Sequence, residues 1–280
     1  MDVIRPGSLQ DCLRILKTEH TIPVAGGTDL MVNLALNKIS PDRIVDISGL
    51  QELKEISLSD NFLKIGTLVT FSRLAGREIA QYPFCNALRE AAEKMGSPQI
   101  RNRATIGGNL VTGSSAGDGS VAILALDAQV ELTGLDGIRK VPLSLFYSGY
   151  HQTAIHNDEL LTAVYIPIRP GTSSFQKVGK RNALAIAVAS LAIYSYIRDS
   201  HFEQIYIAIG SVAPTPIRAV KTDLFLQGQK ITGGVIKEAA RIIQDEIAPI
   251  TDIRGTADYR RKLIANLLAD QLQQLSESKN

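Results

Sequence analysis

The stretch Pro23-Val24-Ala25-Gly26-Gly27-Thr28-Asp29-Leu30 decides how the rest of the chain is read. The β-branched and apolar run over 21–25 predicts a strand, and the apolar run over 30–36 predicts a short helix. Two glycines stand between them. A glycine pair at such a junction leaves the main chain bare, so that consecutive N–H groups converge on a concavity suited to an anion. Thr28 adds a hydroxyl, and a helix starting near Asp29 adds the positive end of its dipole. Each hydrogen bond to a charged oxygen there contributes roughly 1.5–3 kcal/mol. Asp29 is an acid beside this concavity, compatible with it if the side chain points away or caps the helix. Neither Gly-x-Gly-x-x-Gly nor a Gly-Lys-Ser/Thr loop occurs, so the Rossmann and P-loop fingerprints are absent. The competing reading is an ordinary strand-to-helix turn.

A second glycine pair lies in Ala104-Thr105-Ile106-Gly107-Gly108-Asn109-Leu110, after Gln99-Ile100-Arg101-Asn102-Arg103. It is read as a second turn of the same kind. Two such turns suggest a ligand with more than one phosphate, held from two sides. Thr112 and Ser114-Ser115-Ala116-Gly117-Asp118-Gly119-Ser120 follow, a small-residue segment able to wrap closely around a ligand, or else a plain surface loop. In the first case Asp118 is placed to accept from a ribose or ribityl hydroxyl.

With 280 residues the chain has room for two or three compact units. Apolar residues make up 45% and charged residues 21%, as in ordinary globular proteins. The net charge of +2, with no basic run longer than Arg260-Arg261-Lys262, argues against nucleic acid or an acidic membrane as partner. Cys12 and Cys85 are too few for a disulfide framework, an iron–sulfur cluster or a structural zinc, which makes the cytoplasm the expected location. Residues 1–8 carry no apolar signal core. The apolar stretch 183–197 is interrupted by Ser190 and Ser195 and reads as buried structure rather than a membrane span. His20, His151, His156 and His201 fall in polar surroundings without metal spacing, and no Gly-x-Ser-x-Gly elbow occurs. Any chemistry must therefore be carried by a bound cofactor.

Ser8 and Asp11 predict a capped helix over 8–16. Strands are predicted over 43–46, 62–66, 129–133 and 161–167, with a hairpin signal at Asp136-Gly137. Helices are predicted from Thr70 to about residue 80, over 84–95 with a stop at Gly96, and over 120–126. Beyond Pro170-Gly171 the composition changes. Strands are predicted over 183–198 and 204–212, then helices over 219–227, 235–245 and 257–275, followed by a disordered tail over 276–280. The whole is an α+β arrangement with units at 1–55, 56–170 and 171–280.

At this point the chain resembles the FAD-binding (medium) subunits of molybdenum hydroxylases, a family that includes xanthine dehydrogenase, carbon monoxide dehydrogenase and nicotinate dehydrogenase. The resemblance covers essentially the whole length. It is carried by 25–30, 99–109, Asp118, Asp158-Glu159-Leu160-Leu161, Phe175-Gln176-Lys177-Val178-Gly179-Lys180-Arg181 and Ser211-Val212-Ala213-Pro214-Thr215-Pro216-Ile217-Arg218. The last of these and 254–261 are most similar to bacterial xanthine dehydrogenase flavin subunits.

The resemblance implies the vanillyl-alcohol-oxidase type of fold. This has a small α/β lobe, a second α/β lobe with a mixed sheet, and a C-terminal domain of antiparallel strands and helices, with FAD between the first two lobes. Val24, Ala25, Gly26, Gly27, Thr28 and Asp29 would hold the pyrophosphate. Ala104, Thr105, Gly108 and Asn109 would form a second wall, with Ile106 packed nearby. Asp118 would bind a cofactor hydroxyl, Leu161 would lie against the flavin or adenine, and Lys177 or Lys180, with Lys177 preferred, would approach the flavin. Molybdopterin and 2Fe-2S clusters would reside in a large and a small partner subunit, and electrons would leave the flavin for NAD or another acceptor. Two departures stand out. Gly113-Ser114-Ser115-Ala116-Gly117-Asp118 replaces an Ala-Ser-Pro-Ala-Ala-Asp found in many relatives. The cysteine-bearing insertion of benzoyl-CoA reductase relatives is missing. The alternatives are a self-contained flavin reductase on the same fold, such as the cell-wall precursor reductases, and a nucleotide-binding or assembly module without a redox role.

Overall fold

The computed structural model describes residues 1–180 and 186–277. Arg181, the part of the predicted strand over 183–185 and the predicted tail over 278–280 lie outside the described residues. Three short strands at the N-terminus form a parallel sheet, with β1 (Asp2–Ile4) and β2 (Thr21–Val24) flanking β3 (Arg43–Asp46). Helix α1 (Leu9–Leu16) connects β1 to β2. Ser8 Oγ accepts from the Asp11 amide at 3.1 Å, and Cys12, Leu13 and Leu16 bury its inner face. Val24 and Asp46 lie side by side at the carboxyl ends of their strands, the end at which open α/β sheets bind ligands. The first glycine pair leaves β2 there and leads into α2 (Leu30–Ala35).

The second sheet has five strands in the order β4 (Ile56–Ser59), β5 (Phe62–Gly66), β10 (Leu160–Pro167), β6 (Gln129–Gly134), β7 (Gly137–Pro142). Every pairing is antiparallel, which corrects the mixed sheet that the resemblance implies. Both outer pairs are tight hairpins, a connection open only to antiparallel strands. The β6–β7 turn is formed by Leu135 and Asp136, one residue earlier than Asp136-Gly137. A small hairpin, β8 (Tyr147–Gly149) with β9 (Gln152–Thr153), precedes β10.

Between β5 and β6 the chain forms α3 (Phe71–Leu74), α4 (Arg77–Ala80), α5 (Asn86–Lys94), α6 (Pro98–Arg101), α7 (Ile106–Thr112) and α8 (Asp118–Ala125). The single helix predicted from Thr70 to residue 80 is two helices. Thr70 caps α3 as predicted, but Gly76 takes an extended conformation (φ −87°, ψ −175°) and restarts the chain as α4. Gly96 ends the α5 region in the left-handed conformation (φ +47°). Every residue of α8 is buried, as expected of a helix apolar on all sides. It starts two residues earlier than predicted, so Asp118 and Gly119 sit in its first turn.

The C-terminal sheet is antiparallel in the order β11 (Thr172–Gly179), β12 (Ala187–Arg198), β13 (His201–Gly210), β14 (Ile217–Arg218). β11 has no counterpart among the predicted strands. Helices α9 (Val220–Leu226), α10 (Gly233–Asp245) and α11 (Ala257–Glu277) complete the chain. Ser276 and Glu277, predicted as disordered tail, extend α11: Ser276 Oγ donates to the Gln273 carbonyl at 2.7 Å, and Gln273 Nε2 donates to Glu277 Oε1 at 2.8 Å. One face of the C-terminal sheet packs Leu191, Ile193, Ile207 and Ile209 against these helices. The opposite face sends Phe175, Ala192, Tyr194 and Ala208 into the core of α5, α8 and the second sheet. Among the described residues no helix is long and apolar enough to cross a membrane.

Candidate functional site

A cavity of about 400 Å³ lies where the end of β2 faces the start of α7, within the roughly 300–1,000 Å³ of small-molecule and cofactor sites. One wall is the run 22–30. The other is built from Thr67, Ala104, Thr105, Gly107, Gly108, Asn109, Val111 and Thr112, and Ile47, Met95, Ile155, Leu160 and Leu161 close the remainder. Of the residues singled out from sequence, Val24, Ala25, Gly26, Gly27, Thr28, Asp29, Ala104, Thr105, Gly108, Asn109 and Leu161 line this cavity. Ile106, Asp118 and Lys177 do not.

The first glycine pair is an open turn. Among the described residues, the amides of Gly26, Gly27 and Thr28 have no protein acceptor. Gly27 is left-handed (φ +72°), a conformation costly for a residue with a Cβ. Gly26 is needed for a different reason. A Cβ there would stand 1.8 Å from the Arg103 carbonyl oxygen, so the turn rests directly on the main chain that leads into the second glycine pair. Asp29 makes no cap. Its Oδ2 accepts from Asn33 Nδ2 at 3.1 Å and from Thr112 Oγ1, on the facing wall, at 3.4 Å.

The second glycine pair is not a turn but the first turn of α7, and its amides are already bonded. Ile106 and Gly107 donate to the carbonyls of Val69 and Thr67, each at 3.0 Å. Gly108 donates to the capping Thr105 Oγ1 at 3.2 Å, and Asn109 to the Thr105 carbonyl at 3.0 Å. A Cβ on Gly107 would fall 1.5 Å from Thr67 Oγ1, whereas one on Gly108 would meet only Thr105 Oγ1, at 3.1 Å. Gly107 thus seats the helix on β5's extension, and Gly108 keeps the cavity wall flat. Asn109 Oδ1 accepts from the amide and hydroxyl of Ser120, at 3.0 and 3.2 Å, and so ties this wall to α8.

Asp118 and Lys177 meet each other. Lys177 Nζ lies 2.5 Å from Asp118 Oδ2 in a pair with little solvent access, and Asp118 Oδ1 is buried without a partner among the described residues. Burial pushes the Asp118 carboxyl up to about 6, against the opposing pull of the Lys177 ammonium. Lys180, the competing lysine, donates to the Ile253 carbonyl. Thr67, Ile47, Met95, Ile155, Val111 and Thr112 also line the cavity without having been singled out as site residues from sequence. Thr112 lies in the quoted small-residue segment, but the other five carry no local signal.

The cavity suits FAD in three respects. A turn with unspent amides offers donors to phosphate oxygens, a glycine wall opposite leaves room for them, and the rest of the lining is apolar enough to cover a ring system. Residues 1–169 match the family described as FAD binding domain in molybdopterin dehydrogenase, and residues 174–275 match the CO dehydrogenase flavoprotein C-terminal domain. The glyceraldehyde dehydrogenase medium chain of Sulfolobus acidocaldarius is 32% identical over 93% of both chains. The xanthine dehydrogenase FAD-binding subunit of Escherichia coli O157:H7 is 31% identical over 94% of this chain and 91% of its own. Among solved structures, the reconstituted CO dehydrogenase from Oligotropha carboxidovorans superposes with a TM-score of 0.92 at 29% identity, covering 96% of this chain and 95% of its own. The chain belongs to the FAD-binding, or medium, subunits of the molybdenum hydroxylase family.

Proposed function

We propose that this chain relays electrons from iron–sulfur clusters of a partner subunit through FAD to NAD⁺ or another acceptor. Its partners are a molybdopterin-binding large subunit and a 2Fe-2S small subunit, and its location is the cytoplasm. The observation that carries the reading is the set of three unspent amides at Gly26, Gly27 and Thr28, facing a glycine wall across the cavity. The chemistry supplied by FAD is the exchange of electrons singly on one side and in pairs on the other. The chain's own residues do the holding. Val24 to Asp29 take the pyrophosphate, and Ala104, Thr105, Gly108 and Asn109 bound it from the other side, with Ile106 packed behind. Leu161 covers the ring system or adenine and excludes water. Asp118 and Lys177 stand outside the cavity lining, next to the wall that Asn109 ties to α8; Asp118 Oδ1, without a partner among the described residues, takes a cofactor hydroxyl, and Lys177 is held by Oδ2 for the flavin. In this reading 1–55 and 56–170 are the two cofactor-binding units, and 171–280 is the C-terminal unit that carries Lys177.

The test is purification of the full chain followed by gel filtration and acid extraction. Yellow protein that releases close to one FAD per chain is the expected result. A colourless chain that ignores added FAD would leave only a module without a redox role. Turnover of a nucleotide-sugar substrate by the isolated chain would favour a self-contained reductase. Metal analysis of material co-purified from the native host tests the partners, for which molybdenum and iron are expected together.

A further inference from the structure

The cavity that receives a diphosphate is poor in positive charge. Among the described residues, its only charged lining side chain is Asp29, which is negative. The amides of the first turn supply partial charges, and α2, with six residues, has a short dipole. At pH 7 the diphosphate of FAD carries close to two negative charges, so a cation is missing from the account. Arg5 stands near the end of the parallel sheet, but Asp46 neutralises it at 2.5 Å. Arg101 is committed to the Met95 and Gly96 carbonyls.

Arg103 is different. Its main chain is in contact with Gly26, and its Nε donates to the Gly26 carbonyl at 3.5 Å, inside the very turn whose amides are unspent. The side chain is exposed, and it pairs with no acid among the described residues. Its guanidinium has four further N–H donors to offer. Arg103 does not itself line the cavity but stands at its rim, one residue before the wall that begins at Ala104. We propose that Arg103 is a cofactor-binding residue that supplies the counter-charge for the FAD diphosphate, its guanidinium swinging over the first turn from that rim. The planar fork suits two adjacent phosphate oxygens, which a lysine would meet only as a point charge. Because the site opens to solvent, the contribution is sensitive to salt.

The inference rests on the FAD reading above, and the experiment separates the two. FAD affinity of the full chain is measured by fluorescence at low and at moderate salt, for wild type, Arg103→Gln and Arg103→Lys, with riboflavin as a ring-only probe. Arg103→Gln is expected to weaken FAD roughly tenfold at low salt, with a flatter salt dependence than wild type, while riboflavin binding is unchanged. Arg103→Lys is expected to recover part of the loss. Circular dichroism and the melting midpoint of the FAD-free variants, expected to match wild type, exclude a folding defect. Equal FAD affinity in wild type and Arg103→Gln, or an equal loss for riboflavin, would overturn the role of Arg103 alone. Failure of wild type to bind FAD at all would instead sink the reading it rests on.

Discussion

Gly26-Gly27 and Gly107-Gly108 are spelled alike and face each other across one cavity, yet the first precedes its helix, the second lies inside its own, and they do opposite things with their backbone. The first pair keeps its amides free and spends its missing Cβ atoms on a left-handed bend and a main-chain contact. The second has all its amides bonded and spends its missing Cβ atoms on packing against Thr67 and on keeping a wall flat. One pair offers donors and the other offers room. A motif read only as "two glycines after an apolar run" does not distinguish them; the hydrogen-bond account does.

The sharpest way to break the comparison is Gly107→Ala. Its Cβ collides with Thr67 in a fully packed place, and we expect a loss of roughly 3 kcal/mol or more, read as a large drop in the melting midpoint of the FAD-free chain. If the midpoint holds, the packing role of the second pair is wrong. Gly26→Ala comes next. Its Cβ meets the Arg103 carbonyl, so the two walls must part. FAD retention on gel filtration should be lost, with a smaller change in melting than for Gly107→Ala, because a surface turn can shift where a core helix cannot. Gly108→Asp sharpens the contrast within one pair. The carboxylate enters the space for phosphate and repels it, so flavin absorbance of the purified protein should vanish. The FAD-free midpoint should stay within roughly 3 °C, since an acid at the third position of α7 completes a capping box with Thr105. The smallest effect belongs to Thr105→Ala, which removes the cap bond to the Gly108 amide and should cost about 1 kcal/mol in thermal or urea unfolding.

What was legible in the sequence was local. The Ser8 cap, the Gly96 stop, the strand before Gly26 and the amphipathic helix up to residue 95 each depend on neighbours a few positions away. The family resemblance then supplied the site and the cofactor, through motifs spread over the chain. What sequence reading got wrong depends on distance. Gly107-Gly108 reads as a turn until Thr67, forty positions earlier, is seen to occupy the space of a Cβ. β11 escaped because Thr172-Ser173-Ser174-Phe175-Gln176-Lys177 is mostly polar. Its membership comes from pairing with β12, and its buried serine hydroxyl bonds the Phe84 carbonyl and the Ala87 amide, each at 2.8 Å. The antiparallel pairing of β10 with both β5 and β6 is likewise a long-range outcome. It places β10 between β5 and β6, although β10 follows both in the chain.

β12 has apolar side chains on both faces, one set meeting helices that follow it and the other meeting helices that precede it. As the polypeptide leaves the ribosome, each half therefore has a core face that only later residues cover. The amino-terminal portion waits with Leu88, Val121 and their neighbours incompletely covered until β12 and β13 emerge, and the newly made strands in turn wait for α10 and α11. A truncated product lacking the last helices would present a sticky, half-dressed sheet, with Leu191, Ile193, Ile207 and Ile209 bared on one face.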